Sequence, residues 1–330
     1  MTKLLEIHDL QTQFHTRDGI AKAVDGLSLS LDRGEILGLV GESGSGKSVT
    51  GFSILGLVDP PGRVAGGRIL FDGEDLVAGG EKAMKKLRGK RIAMIFQDPM
   101  MTLNPVLRID TQMVETVQAH ADVSRKAALA RARDALVRVG ISSPDERLQA
   151  YPHQFSGGMR QRVAIAIALL HEPDLIIADE PTTALDVTIQ AQILSEMQAL
   201  CAQSGTALIW ITHDLAVVSG LADRLAVMYA GRIIEEGTTA GIISKPMHPY
   251  TKGLIESVPQ GKEHGTLLRQ IKGMTPSLLK LPEGCKFAPR CPRADAACKP
   301  EPPLEERETG RRVRCVHPHT EPLAEEAAPT

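Results

Sequence analysis

The sequence predicts an α/β fold in which short buried strands alternate with amphipathic helices. Compact apolar runs at Glu35–Val40, Leu175–Ala178 and Thr206–Ile211 have the length and composition of buried strands. Between the last two runs, apolar residues recur at helical spacing on one face: Ile189, Ile193, Met197 and Leu200. Gly205 can end that helix. This alternation favours a layered sheet covered by helices.

Composition excludes several classes of protein. The 330 residues carry 38 Lys and Arg against 40 Asp and Glu, a net charge of −2 that gives no general attraction to nucleic acid or anionic lipid. A hydrophobic content of 42% can bury an ordinary core, whereas 3% aromatic residues argue against stacking platforms for single strands. No apolar run reaches the roughly 18–20 residues of a membrane span, and no secretory signal is visible at the N-terminus.

The elements follow in order along the chain. Alternation over Leu4–Phe14 predicts a strand, with a turn at Asp18-Gly19. The strand at Glu35–Val40 leads through a glycine-rich turn into a helix whose buried side we expect to carry four apolar residues: Val49, Phe52, Leu55 and Leu57. Ile92–Phe96 predicts another buried strand.

A helical stretch follows at about 110–170, which we expect to be an insert on the sheet. Ser124 can cap one of its helices, and the basic residues of that helix are more typical of a solvated face than of a nucleic-acid site. Ala226–Tyr229 and Arg232–Glu235 predict a closing hairpin. From Pro246 onward the periodicity fades, which predicts domains at 1–245 and 246–330.

The glycine-rich turn fits the phosphate-loop pattern G-x-x-x-x-G-K-[ST]. Its residues are Gly41, Glu42, Ser43, Gly44, Ser45, Gly46, Lys47 and Ser48. The glycines let successive backbone N–H groups face one anion, and the following helix adds the positive end of its dipole. Lys47 can reach the outer phosphates, and the Ser48 hydroxyl can ligate Mg²⁺. The pattern lies between a strand and a helix, where a phosphate loop belongs.

A second half-site follows the strand at Leu175–Ala178. Asp179 can hold a metal ion beside the phosphates, and Glu180 can orient or deprotonate the attacking water. An acidic residue at the end of a strand is common, so Asp179 and Glu180 indicate a catalytic site only in combination with the phosphate loop upstream. Together they indicate a nucleoside triphosphatase.

A further glycine pair follows a serine at the start of a helix. Ser156, Gly157 and Gly158, with Gln161 one turn on, form a second backbone nest for phosphate. One chain cannot easily wrap one γ-phosphate with both nests. We therefore expect the second to serve a nucleotide held by another copy or by a partner.

With these motifs in order, the sequence resembles the ATP-binding subunits of ABC transporters. The motifs are the phosphate loop, Gln97, the signature at 156–161, Asp179-Glu180, Ala184-Leu185-Asp186 and His213. Phe96-Gln97-Asp98-Pro99-Met100 and His248-Pro249-Tyr250-Thr251 bring it closest to the dipeptide/oligopeptide importers, and among these to the D-type subunits of dipeptide transporters. The resemblance implies a RecA-like core with an antiparallel β subdomain, a helical subdomain at about 100–170 and a small Cys-rich C-terminal extension.

The resemblance also implies roles. Phe14, where many relatives carry Tyr, would stack on adenine; Gln97 would contact Mg²⁺ and the attacking water; His213 would hold the γ-phosphate. Asp186 would lie at the seam of a head-to-tail dimer, in which the signature of one subunit binds the ATP of the other. Met159 replaces the glutamine of the commonest signature and forfeits one hydrogen bond.

The implied partners are a second ABC ATPase in a heterodimer, two transmembrane permease subunits and a periplasmic or extracellular binding protein. The subunit would be peripheral, on the cytoplasmic face of the bacterial inner membrane. Nickel and glutathione importers share much of the pattern and remain alternatives. A soluble ABC ATPase acting on nucleic acid or ribosomes is disfavoured because the chain lacks a long coiled-coil insert and a second cassette.

Four of the five cysteines fall in the last 46 residues, whereas Cys201 is expected in the core. Cys285, Cys291, Cys298 and Cys315 are spaced more widely than ordinary zinc pairs. Their spacing alone leaves zinc, an iron–sulfur cluster and bystander thiols open. The resemblance to the peptide importers implies a [4Fe–4S] cluster there, with a structural role.

Overall fold

The computed structural model describes residues 3–182, 185–257 and 270–322. The strands are β1 (Lys3–Thr16), β2 (Gly19–Asp32), β3 (Ile36–Val40), β4 (Gly62–Phe71), β5 (Glu74–Asp75), β6 (Ile92–Ile95), β7 (Leu175–Asp179), β8 (Ala207–Thr212), β9 (Arg224–Tyr229), β10 (Arg232–Thr238), β11 (Glu305–Glu308) and β12 (Arg311–Val313). The helices are α1 (Lys47–Leu55), α2 (Leu76–Leu87), α3 (Ile109–Gln118), α4 (Arg125–Arg138), α5 (Pro144–Leu148), α6 (Gly157–Leu169), α7 (Val187–Ser204), α8 (Leu215–Ser219), α9 (Thr239–Ser244) and α10 (Pro249–Glu256). These bounds confirm the predicted alternation of strands and helices.

The chain divides into two compact units. The first comprises Met1–Leu5, Ser30–Ile36 and Leu70–Ile211, and the second Glu6–Leu29, Leu37–Ile69 and Thr212–Thr330. Each unit therefore draws on distant parts of the chain. In the described part of the chain, no helix combines the length and the apolar composition that a bilayer span requires.

The first unit is built on three parallel strands. Leu175 of β7 pairs with Ile92 of β6 and with Ala207 of β8. Every residue of β7 and β8 is buried, as expected for parallel strands covered on both faces. The carboxyl ends of these two strands lie together, because Asp179 pairs with Ile211.

The stretch at about 110–170, predicted as an insert, is largely helical in the first unit. Helix α4 packs on both α3 and α6. Ser124 caps α4 by accepting a hydrogen bond from the backbone N–H of Ala127. Helix α7 ends at Gly205, whose φ of +70° is the left-handed geometry that glycine adopts without strain. Cys201 is buried on α7, which confirms its place in the core.

The second unit contains the phosphate loop and the C-terminal segment, by which we mean residues 270–322. Within this unit β3 runs parallel to β9, and β9 forms the predicted antiparallel hairpin with β10. The predicted buried side of α1 is partly wrong. Thr50, Ser53 and Ile54 are buried there, whereas Leu57 lies beyond the helix and is exposed, because α1 already ends at Leu55. The small residues let α1 approach its neighbours closely, as Thr12 Oγ1 lies 2.8 Å from Ser53 Oγ.

The C-terminal segment returns to β10, which the sequence did not predict. Strand β12 pairs with β10 and β11 with β12, so both strands add to the sheet of this unit. Glu235 on β10 is completely buried. Its carboxylate accepts hydrogen bonds from the backbone N–H groups of Met247 and His248 and from Nη2 of Arg311, each at 2.8 Å. A buried carboxylate with three donors is stabilised rather than strained, and it ties β12 to the chain before α10.

Aromatic rings pack the cysteine-containing turns onto β9 and α10 of the same unit. The ring of Phe287 lies 5.3 Å from that of Tyr229 and 5.4 Å from that of Tyr250, both edge to face. Tyr229 and Tyr250 themselves contact at 4.8 Å. All three side chains are buried, so this cluster is the core beneath the C-terminal segment.

Candidate functional site

The phosphate loop takes the geometry that its glycines permit. Gly46 has a φ of +103°, and a Cβ there would lie 2.2 Å from the carbonyl oxygen of Ala23. A Cβ on Gly41 would lie 2.3 Å from the carbonyl oxygen of Met228. Both positions therefore require glycine, and the loop opens directly into α1, whose N-cap is Gly46.

Lys47 is held inside this loop. Its side chain is buried, and Nζ donates to the carbonyl oxygens of Gly41 at 2.8 Å and Glu42 at 3.0 Å. A buried ammonium facing backbone at the start of a helix attracts anions, since the helix dipole adds to its charge. The arrangement fits the binding of phosphate. Ser48 follows on the first turn of α1 and is half-buried.

Phe14 lies half-buried on β1 in the second unit. The edge of its ring faces the start of β4, where a Cβ on Gly62 would lie 2.6 Å from Cε1 of Phe14. Its stacking on adenine remains a prediction.

Two acidic residues lie at the carboxyl end of β7 in the first unit: Asp179 is the last residue of the strand, and Glu180 follows it. Asp179 is buried, and Glu180 is half-buried with its backbone N–H donating to the carbonyl of Ile211 at 2.9 Å. Glu180 has a φ of +44°, a left-handed conformation that is uncommon for a residue with a side chain and that clusters at functional sites. The sequence gives no sign of this strain.

The structure brings Gln97 and Glu180 together. Gln97 follows β6, and its Nε2 donates to Oε2 of Glu180 at 3.3 Å. The parallel pairing of β6 with β7 places both residues beyond the carboxyl ends of neighbouring strands. In the second unit, His213 is exposed one residue after β8 ends.

The signature begins α6 in the first unit. Ser156 is the N-cap and accepts a hydrogen bond from the backbone N–H of Met159 at 3.3 Å. Ser156 and Gly157 are exposed, and a Cβ on Gly157 would meet open space. Gln161 is only 2% exposed. The exposed start of the helix can therefore receive a ligand from outside the chain, whereas Gln161 lies beneath it.

The predicted dimer residue lies beside the signature. Asp186 is exposed and caps α7 by accepting from the backbone N–H of Ile189 at 2.9 Å. A Cβ on Gly158 would lie 3.5 Å from Ile189, so the two helix starts are in contact. Val187 is 81% exposed at the same place, an apolar side chain without cover in the isolated chain. Ala184 of the same motif lies outside the described residues.

The four C-terminal cysteines share one small cavity in the second unit. Cys285, Cys291, Cys298 and Cys315 all line it, and all are free thiols. The backbone N–H of Cys285 donates to the carbonyl of Cys298 at 3.0 Å, which holds two of the turns together. Burial raises the pKa of the Cys285 and Cys291 thiols, and that of Cys315 to about 11.

A mixed group of ligands lies at the edge of this cavity. The ligand atoms of Asp295, Cys298 and His317 lie within 4.8 Å of one another. Nε2 of His317 is 2.9 Å from Oδ1 of Asp295. Neither Asp295 nor His317 was singled out from the sequence, where nothing marks them apart from their nearness to cysteines.

Glu42 in the phosphate loop is bound by the C-terminal segment. Nη1 of Arg290 donates to Oε2 at 2.6 Å, and Nη2 donates to Oε1 at 3.0 Å. Partial burial alone would raise the pKa of the Glu42 carboxyl, but hydrogen bonds from Arg290 and Thr275 and the charge of Arg290 outweigh it and lower the pKa. The two residues are 248 positions apart, so no local pattern could have predicted the contact.

Two family models match the chain. The model described as ABC transporter matches residues 24–183, and the model described as oligopeptide/dipeptide transporter, C-terminal region, matches residues 234–298. The second match covers Cys285, Cys291 and Cys298.

Curated relatives match over nearly the whole length. The oligopeptide transport ATP-binding protein OppD of Escherichia coli (strain K12) is 48% identical over 320 residues, 97% of this chain and 95% of the relative. The dipeptide transport ATP-binding protein DppD of Bacillus subtilis (strain 168) is 51% identical over 299 residues, 90% of this chain and 89% of the relative.

Among solved structures, the fold is similar to the ATP-binding cassette MJ0796 in a dimeric post-hydrolysis state bound to ADP and Pi. The TM-score is 0.65 at 26% sequence identity, over 71% of this chain and 98% of that one.

Proposed function

Because the chain belongs to the ATP-binding subunits of the oligopeptide/dipeptide ABC importers, we propose that it hydrolyses ATP to energise the import of di- and oligopeptides. The observation that carries this proposal is the contact between Gln97 and Glu180 at the carboxyl ends of β6 and β7, in a chain that also holds Lys47 inside a phosphate loop. These are the parts that phosphoryl transfer requires.

Nucleotide binding falls to the second unit. The backbone of residues 41–48 and the Lys47 ammonium bind the phosphates, and Phe14 stacks on adenine. Ser48 of this unit, and Gln97 and Asp179 of the first, are the proposed ligands of Mg²⁺, an ion that would neutralise charge on the phosphate oxygens. The oxygen donors of these three side chains are the kind that Mg²⁺ prefers.

Hydrolysis depends on Glu180. Its carboxylate orients and deprotonates the attacking water, and Gln97 holds that carboxylate through the 3.3 Å hydrogen bond. His213 contacts the γ-phosphate. The left-handed backbone of Glu180 supports this role, because such strain persists where the surroundings impose it.

A head-to-tail dimer completes each site. Ser156, Gly157 and Gly158 bind the nucleotide of the facing subunit, with Gln161 supporting that end of α6. Asp186 lies at the seam, and the exposed Val187 beside it is covered in the dimer. We propose that the facing subunit is a related but different ABC ATPase, which would make the pair a heterodimer. ATP bridges the two subunits, and loss of the γ-phosphate releases them.

The remaining partners are two permease subunits in the membrane and a periplasmic or extracellular binding protein. The subunit acts peripherally at the cytoplasmic face of the bacterial inner membrane. We assign residues 1–245 to the ATP-binding cassette and residues 246–330 to a Cys-rich extension, and the match of residues 234–298 to the C-terminal region model supports the second assignment. The similar proteins are named as oligopeptide and dipeptide transport ATP-binding proteins, which supports peptides as the cargo.

The cysteine cavity is suited to a metal group. Four thiols that line one cavity and form no disulfide match the donor set of a [4Fe–4S] cluster, which Cys285, Cys291, Cys298 and Cys315 would hold. The cluster would link three turns of irregular chain and so stabilise the segment. Zinc is the second candidate, because the cavity measures only about 10 Å³ and Asp295 and His317 offer harder ligands at its edge.

Metal analysis separates the two candidates. Protein purified without oxygen should absorb near 400 nm and contain about four iron and four sulfide per chain. A colourless protein with one zinc per chain would show that the cavity is a zinc site instead.

The assembled transporter tests the function. The tagged subunit should co-purify with two polytopic membrane proteins and a second ATPase. Its ATPase activity in liposomes should then be stimulated by di- or oligopeptides with their binding protein. Stimulation by a nickel chelate or by glutathione alone would assign the chain to one of those importers.

A further inference from the structure

The C-terminal segment holds a side chain of the phosphate loop. Besides the two hydrogen bonds from Arg290, the Glu42 carboxylate accepts one from Oγ1 of Thr275 at 2.9 Å. Both oxygens of the carboxylate are thus occupied by residues far along the chain. Bidentate guanidinium–carboxylate pairs fix geometry as well as charge.

Arg290 is itself fixed in one position. Its side chain is 5% exposed, and Nε donates to the carbonyl of Lys272 at 3.0 Å. The guanidinium lies 5.8 Å from the ring centre of Tyr229 and 5.9 Å from that of Phe287. Because rings, a carbonyl and a carboxylate all hold this guanidinium, the Arg290 side chain loses little conformational entropy when the loop binds a ligand.

The main chain of Glu42 links this contact to the phosphate-binding lysine. The backbone N–H of Glu42 donates to the hydroxyl of Tyr250 at 2.8 Å. Its carbonyl accepts from Nζ of Lys47 at 3.0 Å and from the backbone N–H of Ser45 at 3.2 Å. Anything that shifts Glu42 must therefore shift the partners of Lys47.

The contact with Arg290 also neutralises the charge of the Glu42 carboxylate. A carboxylate inside a loop that binds phosphate repels its ligand unless a cation offsets it, and the Arg290 guanidinium is bound directly to Glu42. Removal of Arg290 would leave a bare negative charge in the anion site.

We propose that Arg290 is a positioning residue of the nucleotide site: it holds the phosphate loop through Glu42 and cancels that carboxylate, so nucleotide affinity depends on the folded C-terminal segment. The inference rests on the proposed function, because it takes residues 41–48 as the nucleotide site. It connects the cysteine-containing turns to ATP binding, since Arg290 immediately precedes Cys291.

A double-mutant cycle tests this proposal in the full-length chain. The affinity for ADP, measured with a fluorescent ADP analogue, should fall about tenfold in Arg290→Met, because a charged hydrogen-bonding partner is lost. The double variant Arg290→Met with Glu42→Gln should bind ADP more tightly than Arg290→Met alone, because the uncompensated charge is gone. A purely structural role for Arg290 would not produce that recovery.

Controls separate the possible failures. Arg307→Met removes an exposed arginine of the same segment, which pairs with Glu305 at 2.9 Å, and the variant should bind ADP like the wild type. If Arg290→Met does not fold, Arg290→Lys keeps the charge without the bidentate contact and should weaken binding about threefold.

Three results would overturn the proposal. They are an ADP affinity of Arg290→Met equal to that of the wild type, an ADP affinity of Arg290→Lys equal to that of the wild type, and a double variant that binds ADP as weakly as Arg290→Met. A wild-type chain that binds no ADP would instead contradict the proposed function. The two failures are therefore distinguishable.

Discussion

The side-chain amide of Gln97 donates a hydrogen bond to the carboxylate of Glu180, with 3.3 Å between Nε2 and Oε2. The two residues are 83 positions apart and meet because β6 and β7 run parallel side by side. An amide in this position can hold the carboxylate in place. The contact joins the residue that we assign to hydrolysis with the loop that follows β6.

Replacing Lys47 should abolish tight nucleotide binding. Lys47→Ala removes the buried ammonium that we expect to meet the outer phosphates, so the Kd for ATP should rise about a hundredfold, the equivalent of roughly 3 kcal/mol. Isothermal titration calorimetry measures this change. Lys3→Ala is the control, because Lys3 is a partly exposed lysine paired with Asp32 at 3.1 Å; its Kd should be that of the wild type. Equal affinity in Lys47→Ala would refute the assignment of the loop.

The signature can be tested with two matched serines. Ser156→Ala and Ser124→Ala each remove an N-cap hydrogen bond of 3.3 Å and should each cost about 1 kcal/mol of stability. Only Ser156→Ala should also slow ATP turnover in the assembled transporter, by about tenfold, because it alone is placed to reach the partner's nucleotide. Equal turnover in the two variants would argue against a signature role.

The buried ion pair of the C-terminal segment should govern stability. Arg311→Met leaves the fully buried Glu235 carboxylate without its cationic partner and should lower the free energy of unfolding by about 3 kcal/mol. Arg307→Met breaks only an exposed pair and should change it by less than about 1 kcal/mol. Urea denaturation of both variants provides the comparison. A cost as small as that of Arg307→Met would mean that β12 is not tied to β10 by this pair.

The lowered pKa of Glu42 fixes the direction in which pH changes its contribution to the free energy of unfolding. Its folded-state pKa lies below the ordinary value of 4.5, so the unfolded chain takes up a proton first as the pH falls. The stability that Glu42 contributes is therefore complete above about pH 4.5 and is lost as the pH drops through the lowered pKa. The difference in unfolding free energy between wild type and Glu42→Gln should shrink over that interval. A difference that grows toward acid pH would reverse the assigned direction.

Much of the fold could be predicted because its signals are local. The strand before the phosphate loop, the cap at Ser124 and the glycine end of α7 each depend on a few neighbouring residues, and the structure confirms them. Close backbone contacts require glycine at positions 41 and 46, so the phosphate-loop pattern can be recognised in the sequence.

The rest depends on contacts between distant residues. Strands β11 and β12 are rich in charge and carry no apolar alternation, because Arg311 and Arg312 bind buried carboxylates on β10 instead of packing as apolar side chains. The pairing of Glu42 with Arg290 joins residues 248 positions apart. The left-handed backbone of Glu180, with a φ of +44°, likewise has no local sequence signal.

The most direct test of the central claim is the rate of phosphate release by the assembled transporter in liposomes, with peptide and binding protein present, for wild type and Glu180→Gln. The wild type should release phosphate in a peptide-dependent manner. Glu180→Gln should bind ATP with unchanged affinity, favour the closed dimer and release phosphate at least about a hundredfold more slowly, since the catalytic base is lost. Phosphate release by Glu180→Gln at the wild-type rate would contradict the account.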